Sequence, residues 1–146
     1  MADEQPASAV LANGGVRVDG RSPAGVLPLG DLWGYAATAP TGAALPYHAA
    51  TAADRCVDDA AAADYGRLVT APAATAPPWR SAEEMRRKDD LYKHLIVVRY
   101  NMDRPRSGAG SCIFLHLWGA AKGPTAGCTA MAEEDLLRLA RWLRPA

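Results

Sequence analysis

The chain of 146 residues has the length of about one domain, and its 49% hydrophobic and 22% charged residues are ordinary for a globular protein. Its 16 basic and 16 acidic side chains balance to a formal net charge of +0, so no overall field favours nucleic acid or an anionic membrane surface. No apolar run approaches the roughly 18 residues that a membrane span requires, and the acidic N-terminus shows no signal peptide.

The first half of the chain has few strong structural signals. Residues 1–13 are small and polar and are predicted to be a loose leader, with a single domain over residues 14–146. A short strand is predicted at residues 16–18, because apolar and polar residues alternate there before an Asp-Gly turn. Residues 30–36 are predicted to form one helical turn capped by Asp31, and a strand is predicted near residues 45–48.

The second half of the chain has clearer patterns. Residues 54–59 are expected to be the end of a strand that enters a loop, because Val57 is β-branched and its flanks are polar. Ser81 and Glu84 have the spacing of a capping box, which predicts a short helix near residues 82–88. The apolar run at residues 93–100 predicts a strand buried on both faces, paired with a second strand at residues 112–118.

The C-terminal segment is the clearest helix. Acidic side chains occupy residues 133–135, leucine and alanine recur at helical spacing, and arginines lie on the opposite face. The pattern predicts a helix near residues 132–143 that packs on the sheet.

Period-two alternation along residues 112–118 places His116 on the same face as Cys112. Three interpretations of His116 follow from the residue types: a core histidine, a metal ligand with Cys112 and Cys128, or a general base for Cys128. His48 and His94 have no comparable neighbours and are expected to be structural or surface residues.

Cys128 is the predicted nucleophile among the three cysteines. Gly127 permits a tight backbone turn before it, and the amides of this turn could stabilise an oxyanion. An odd number of cysteines leaves at least one thiol free. Cys112, which lies in an apolar strand, is expected to be an inert buried thiol, and the role of Cys56 is undetermined.

Three consecutive segments resemble the catalytic core of the L,D-transpeptidase family, the YkuD domain, in a branch with a shorter loop. They are residues 111–116 (SCIFLH), residues 124–131 (PTAGCTAM) and the amphipathic helix that follows. Residues 20–30 (GRSPAGVLPLG) resemble the family's Ser/Thr-Pro-x-Gly segment, and residues 55–59 (RCVDD) resemble a loop of this branch. The likeness covers about residues 14–143 and implies a mainly β domain of α+β type, with a YkuD-like β-sandwich or sheet. It also implies a chain truncated at its N-terminus, because the family's opening strands precede the Ser-Pro-x-Gly segment.

The resemblance implies a peptidoglycan L,D-transpeptidase. Cys128 would attack a diaminopimelate carbonyl of a stem peptide, release D-alanine and pass the acyl group to an amine or to water. His116 would be the base, oriented by the Leu117 carbonyl, and the amides of Gly127 and Cys128 would form the oxyanion site. Thr125 matches the family's Ser/Thr position, whereas Ala126 stands where the larger family has a second histidine.

The expected partners are peptidoglycan stem peptides, and neither a metal nor an organic cofactor is expected. The family implies a location in the periplasm or cell envelope. An L,D-carboxypeptidase or cysteine amidase, and a catalytically silent wall-binding domain, remain alternatives. The sequence leaves the acyl acceptor and the oligomeric state open.

Overall fold

The computed structural model describes residues 21–71, 75–120 and 122–145. These residues form a mainly β domain with one C-terminal helix. The elements in chain order are β1 (Leu29–Gly34), β2 (Tyr47–Ala49), β3 (Asp54–Val57), β4 (Leu68–Thr70), β5 (Ala82–Glu84), β6 (His94–Val98), β7 (Phe114–Leu117), β8 (Thr129–Met131) and α1 (Glu133–Trp142). The predicted leader and the strand predicted at residues 16–18 lie outside the described residues.

The strands form two sheets. The larger sheet has five strands in the order β2-β1-β6-β7-β8, with antiparallel pairing in its centre and parallel pairing at both edges. The smaller sheet has three antiparallel strands in the order β4-β3-β5. The predicted pairing of residues 93–100 with residues 112–118 is confirmed, since Ile96 lies opposite Leu115 and Val97 opposite Phe114.

The five-stranded sheet separates two hydrophobic cores. On one face, Leu95, Val97 and Phe114 pack towards the smaller sheet. On the other face, Ile96 and Leu117 pack against α1. All of these side chains are buried, so the prediction that β6 is covered on both faces is confirmed.

Helix α1 follows the predicted residues 132–143 to within one residue at each end. Leu136 and Ala140, four residues apart, form its buried stripe against the sheet. Its first turn is acidic, which suits the positive end of the helix dipole, and Glu133 pairs there with Lys93 at 2.9 Å. The predicted packing of the helix on the sheet is therefore confirmed. The described residues include no helix long and apolar enough to cross a membrane.

The helix predicted near residues 82–88 is wrong, because residues 82–84 form β5 and pair with β3. The pattern of burial explains the error: Met85 is buried in the core between the sheets, and Glu83 faces inward two residues earlier while Glu84 is exposed. Strand pairing and burial at period two outweigh the local capping signal of Ser81 and Glu84.

Two other predicted elements also differ. Residues 30–36 are not a helical turn, because β1 is an inner strand that pairs with β2 on one side and β6 on the other. The strand predicted at residues 112–118 begins only at Phe114, because Cys112 has a φ of 56°, which no extended strand contains. The strand predicted near residues 45–48 is present as β2, and the strand end predicted within residues 54–59 is present as β3.

Candidate functional site

The turn at residues 125–128 leads directly into the edge strand β8. Gly127 has a φ of 143°, and a Cβ there would lie 3.1 Å from the carbonyl oxygen of Arg21, so both the backbone conformation and the space require glycine. The Thr125 hydroxyl donates to the carbonyl of Cys128 at 2.5 Å and closes the turn. Ser22 lies within 3.2 Å of the Thr129 hydroxyl, so the Ser-Pro-x-Gly segment runs beside the cysteine.

The thiol of Cys128 is held between two backbone groups. The amide of Phe114 donates to Sγ at 3.3 Å, and the thiol donates to the carbonyl of Cys112 at 3.5 Å. Burial raises the pKa of Cys128 to about 12, and the negative charge of Glu83 acts in the same direction. The resting side chain at neutral pH is therefore an uncharged thiol.

The imidazole of His116 is buried beside the edge of the Tyr92 ring, with centroids 5.3 Å apart. Its Nδ1 lies 2.8 Å from the carbonyl of Leu117, the contact that the resemblance implied. Because a carbonyl can only accept, Nδ1 carries the proton and Nε2 keeps its lone pair. Burial lowers the pKa of His116, so the neutral base is the resting form.

Both side chains line one cavity of about 330 Å³. Its lining includes Glu83, Arg87, Tyr92, His116, Thr125 and Cys128. Within the described part of the chain, Sγ of Cys128 hydrogen-bonds to the backbone of Phe114 and of Cys112. The thiol must therefore rotate before it can give its proton to His116. The site thus combines a buried thiol with a neutral imidazole and space for a ligand.

Cys112 is not the inert thiol that its apolar surroundings predicted. It forms a disulfide with Cys56 across 56 residues of sequence, which leaves Cys128 as the free cysteine. The interpretation in which Cys112, Cys128 and His116 share a metal is therefore wrong, because the sulfur of Cys112 is already bonded. The described residues contain no other cluster of three metal-ligating side chains.

The disulfide joins β3 of the smaller sheet to the segment that precedes β7, at the candidate site. Cys56 lies on β3 in register with Glu83 on β5, and the carbonyl of Cys112 accepts from the Cys128 thiol. One covalent bond therefore ties β3, which pairs with the strand that carries Glu83, to the segment that contacts the Cys128 thiol.

Three lining residues, Glu83, Arg87 and Tyr92, were not identified from the sequence. Tyr92 donates to Oε2 of Glu83 at 2.7 Å, and the guanidinium of Arg87 lies 5.1 Å above the Tyr92 ring. The inward direction of Glu83 follows from its place two residues before the buried Met85, but the helix predicted there concealed this alternation.

The other histidines lie away from the cavity lining. His48 contacts Asp31 at 2.6 Å on an exposed part of the sheet, and His94 contacts Glu133 at 3.1 Å at the start of α1. Both placements agree with the structural or surface roles expected for them.

The described residues define a mainly β domain of α+β type with a cysteine and a histidine in one cavity. No protein-family model, curated protein or solved structure matches the chain.

Proposed function

We propose that the chain is a peptidoglycan L,D-transpeptidase that transfers acyl groups through Cys128. The observation that carries the proposal is the cavity that Cys128 shares with His116, whose Nε2 is unprotonated. The glycine turn before Cys128 and the Thr125 hydroxyl bond agree with the resemblance of residues 124–131 to the family motif. The substrates are stem peptides that contain diaminopimelate.

The reaction begins from two neutral groups. Nε2 of His116 takes the thiol proton as Sγ of Cys128 attacks the diaminopimelate carbonyl, so no free thiolate has to accumulate. The resulting oxyanion is stabilised by the backbone amide of Cys128. The second donor to the oxyanion is the backbone amide of Gly127, whose nitrogen lies 3.4 Å from the Thr125 hydroxyl oxygen, a long and weak contact. The imidazolium then protonates the leaving amine of D-alanine, which leaves a thioester on Cys128.

The proposed location is the periplasm or cell envelope. Disulfides persist in oxidising compartments, and the Cys56–Cys112 bond fits such a place. The chemistry proposed for Cys128 and His116 requires neither a metal nor an organic cofactor.

A catalytically silent wall-binding domain is the second candidate. The observations in its favour are the pKa of Cys128, which burial raises to about 12, and the engagement of its thiol by the Cys112 carbonyl. A domain of this kind would bind stem peptides in the same cavity without acylation.

The test is D-alanine release from a diaminopimelate tetrapeptide, together with the intact mass of the protein after exposure to a carbapenem. Wild-type protein should release D-alanine and gain the mass of one carbapenem, and Cys128→Ala should do neither. His116→Gln should lose roughly 100-fold to 10,000-fold in rate, as expected when a general base is removed. The matched histidine control is His48→Gln, which should stay within about twofold because its ring lies outside the cavity.

Two results would overturn the assignment. Undiminished D-alanine release by Cys128→Ala would remove the nucleophile. Folded wild-type protein that binds the tetrapeptide but forms neither free D-alanine nor a carbapenem adduct would support the silent domain. Cys112→Ala is not a suitable cysteine control, because it breaks the disulfide.

A further inference from the structure

The cavity has a charged end that acylation of Cys128 does not use. Glu83 lies in its wall on β5 of the smaller sheet, whereas His116 lies on β7 of the larger sheet and Cys128 in the turn that leads into β8. The carboxylate accepts from the Tyr92 hydroxyl at 2.7 Å. Tyr92 is itself buried between the rings of Phe114 and His116, so the position of the Glu83 carboxylate is fixed relative to the base.

Arg87 supplies the opposite charge in the same wall. Its Nε and Nη2 donate to the two carboxylate oxygens of Asp89 at 2.9 and 2.7 Å, and its guanidinium lies against the Tyr92 ring. This bidentate contact fixes the plane of the guanidinium and uses two of its five N–H donors. The remaining donors can bind a second anion.

We propose that Glu83 and Arg87 bind the acyl acceptor as a zwitterionic α-amino acid, with the ammonium on Glu83 and the carboxylate on Arg87. This inference rests on the proposed function and specifies the acceptor that the sequence left open. A free D-amino acid and the D-centre of diaminopimelate in a second stem peptide carry this same pair of groups. A lysine side chain and water do not.

The proton balance of the second step assigns Glu83 a role in catalysis. The acceptor ammonium gives one proton to the Glu83 carboxylate, and the free amine attacks the thioester carbonyl. A C–N bond forms and the C–S bond breaks. The second proton of the attacking nitrogen passes through His116 to the departing sulfur, which restores the Cys128 thiol, and Glu83 then releases its proton to solvent.

The surroundings of Glu83 suit it to this transfer. Burial raises the pKa of Glu83, and the charge of Asp58 acts in the same direction, whereas the Tyr92 hydroxyl and Arg87 oppose the shift. A carboxylate with a raised pKa is a stronger base than an exposed one, while it still attracts an ammonium ion.

The acceptor experiment uses the full chain with a tetrapeptide donor and compares D-methionine with D-methioninamide, which lacks the carboxylate. Wild-type protein should prefer the acid roughly tenfold or more, as expected for a charge-assisted hydrogen bond. Arg87→Gln should bring this ratio close to one. Dimer formation from two tetrapeptides reports the stem peptide as acceptor, and D-methionine exchange reports the free amino acid.

Glu83→Gln should lower the ratio of aminolysis to hydrolysis roughly tenfold. The exposed neighbour provides the matched control, Glu84→Gln, which should keep the wild-type ratio. Formation of the carbapenem adduct by each variant verifies that its cavity is folded.

The outcomes separate the two levels of the proposal. Absence of D-alanine release and of an adduct in wild-type protein overturns the proposed function itself. Normal release with equal use of D-methionine and D-methioninamide by wild-type protein overturns the acceptor site and needs no variant. An unchanged partition ratio in Glu83→Gln overturns the role of Glu83 while acyl transfer by Cys128 stands.

Discussion

Reduction of the Cys56–Cys112 disulfide should destabilise the domain strongly. The bond closes a loop with a sequence separation of 56 residues. For a loop of that length the chain-entropy relation gives about 4 kcal/mol of stabilisation at 25 °C, because the reduced unfolded chain regains the conformations that the crosslink forbids. This is a large share of the roughly 5–15 kcal/mol by which domains are stable, so the reduced protein should be marginal.

The assay is urea denaturation of Cys128→Ser, oxidised and after reduction with a phosphine, because this background has no third thiol for exchange. At a slope of about 2 kcal/mol per molar urea, the midpoint should fall by about 2 M on reduction. The Cys56→Ala/Cys112→Ala double variant should show a similar fall without reductant and no further change with it. A shift below about 0.5 M in the reduced protein would refute the reasoning, since it would mean that the loop is equally constrained without the bond.

Three further outcomes follow from the site. Alkylation of Cys128 by iodoacetamide at pH 7.5 should be about 100-fold slower than alkylation of free cysteine. A pKa of about 12 removes most of the thiolate, and the greater intrinsic nucleophilicity of the remaining thiolate offsets only part of this loss. An equal rate would contradict the buried thiol. Because burial lowers the pKa of His116, the rate of D-alanine release should fall only when the pH drops below 6.5, the ordinary imidazole pKa, where the base becomes protonated. A rate that is already half-maximal above pH 6.5 would contradict a neutral resting imidazole. Gly127→Ala should cost about 1–3 kcal/mol in the free energy of unfolding and abolish the carbapenem adduct, whereas Gly123→Ala, whose Cβ would have no neighbour within 4 Å, should do neither.

The strongest sequence patterns predicted the sheet centre and the helix. β6 has a continuous apolar run, and α1 has a complete amphipathic period with acids at its start. For this strand and this helix, the secondary structure that the local sequence pattern favours is the same as the one that burial in the folded domain requires. The sequence pattern alone therefore indicates the element. The glycine turn at Gly127 was recognisable for the same reason, since its residue type and its backbone requirement coincide.

Only β3 of the smaller sheet was predicted, because nothing local defines β4 and β5. β3, β4 and β5 are three or four residues long, and they are strands only through their pairing with one another. The capping signal of Ser81 and Glu84 therefore had no visible competitor in the sequence. The error extended to the candidate site, since Glu83 enters the cavity only if residues 82–84 are extended.

The disulfide also explains why a high thiol pKa suits this site. Cys128 contacts the carbonyl of Cys112, a residue whose sulfur is bonded to Cys56. A thiolate at this position could attack that disulfide, because exchange requires the ionised thiol. Because burial raises the pKa of Cys128 to about 12, only a very small fraction of the thiol is ionised at neutral pH, so the free thiol and the crosslink can coexist. Proton transfer to His116 during attack on the substrate would then confine the reactive state to the moment of acylation, which reconciles an unreactive resting thiol with the proposed acyl transfer.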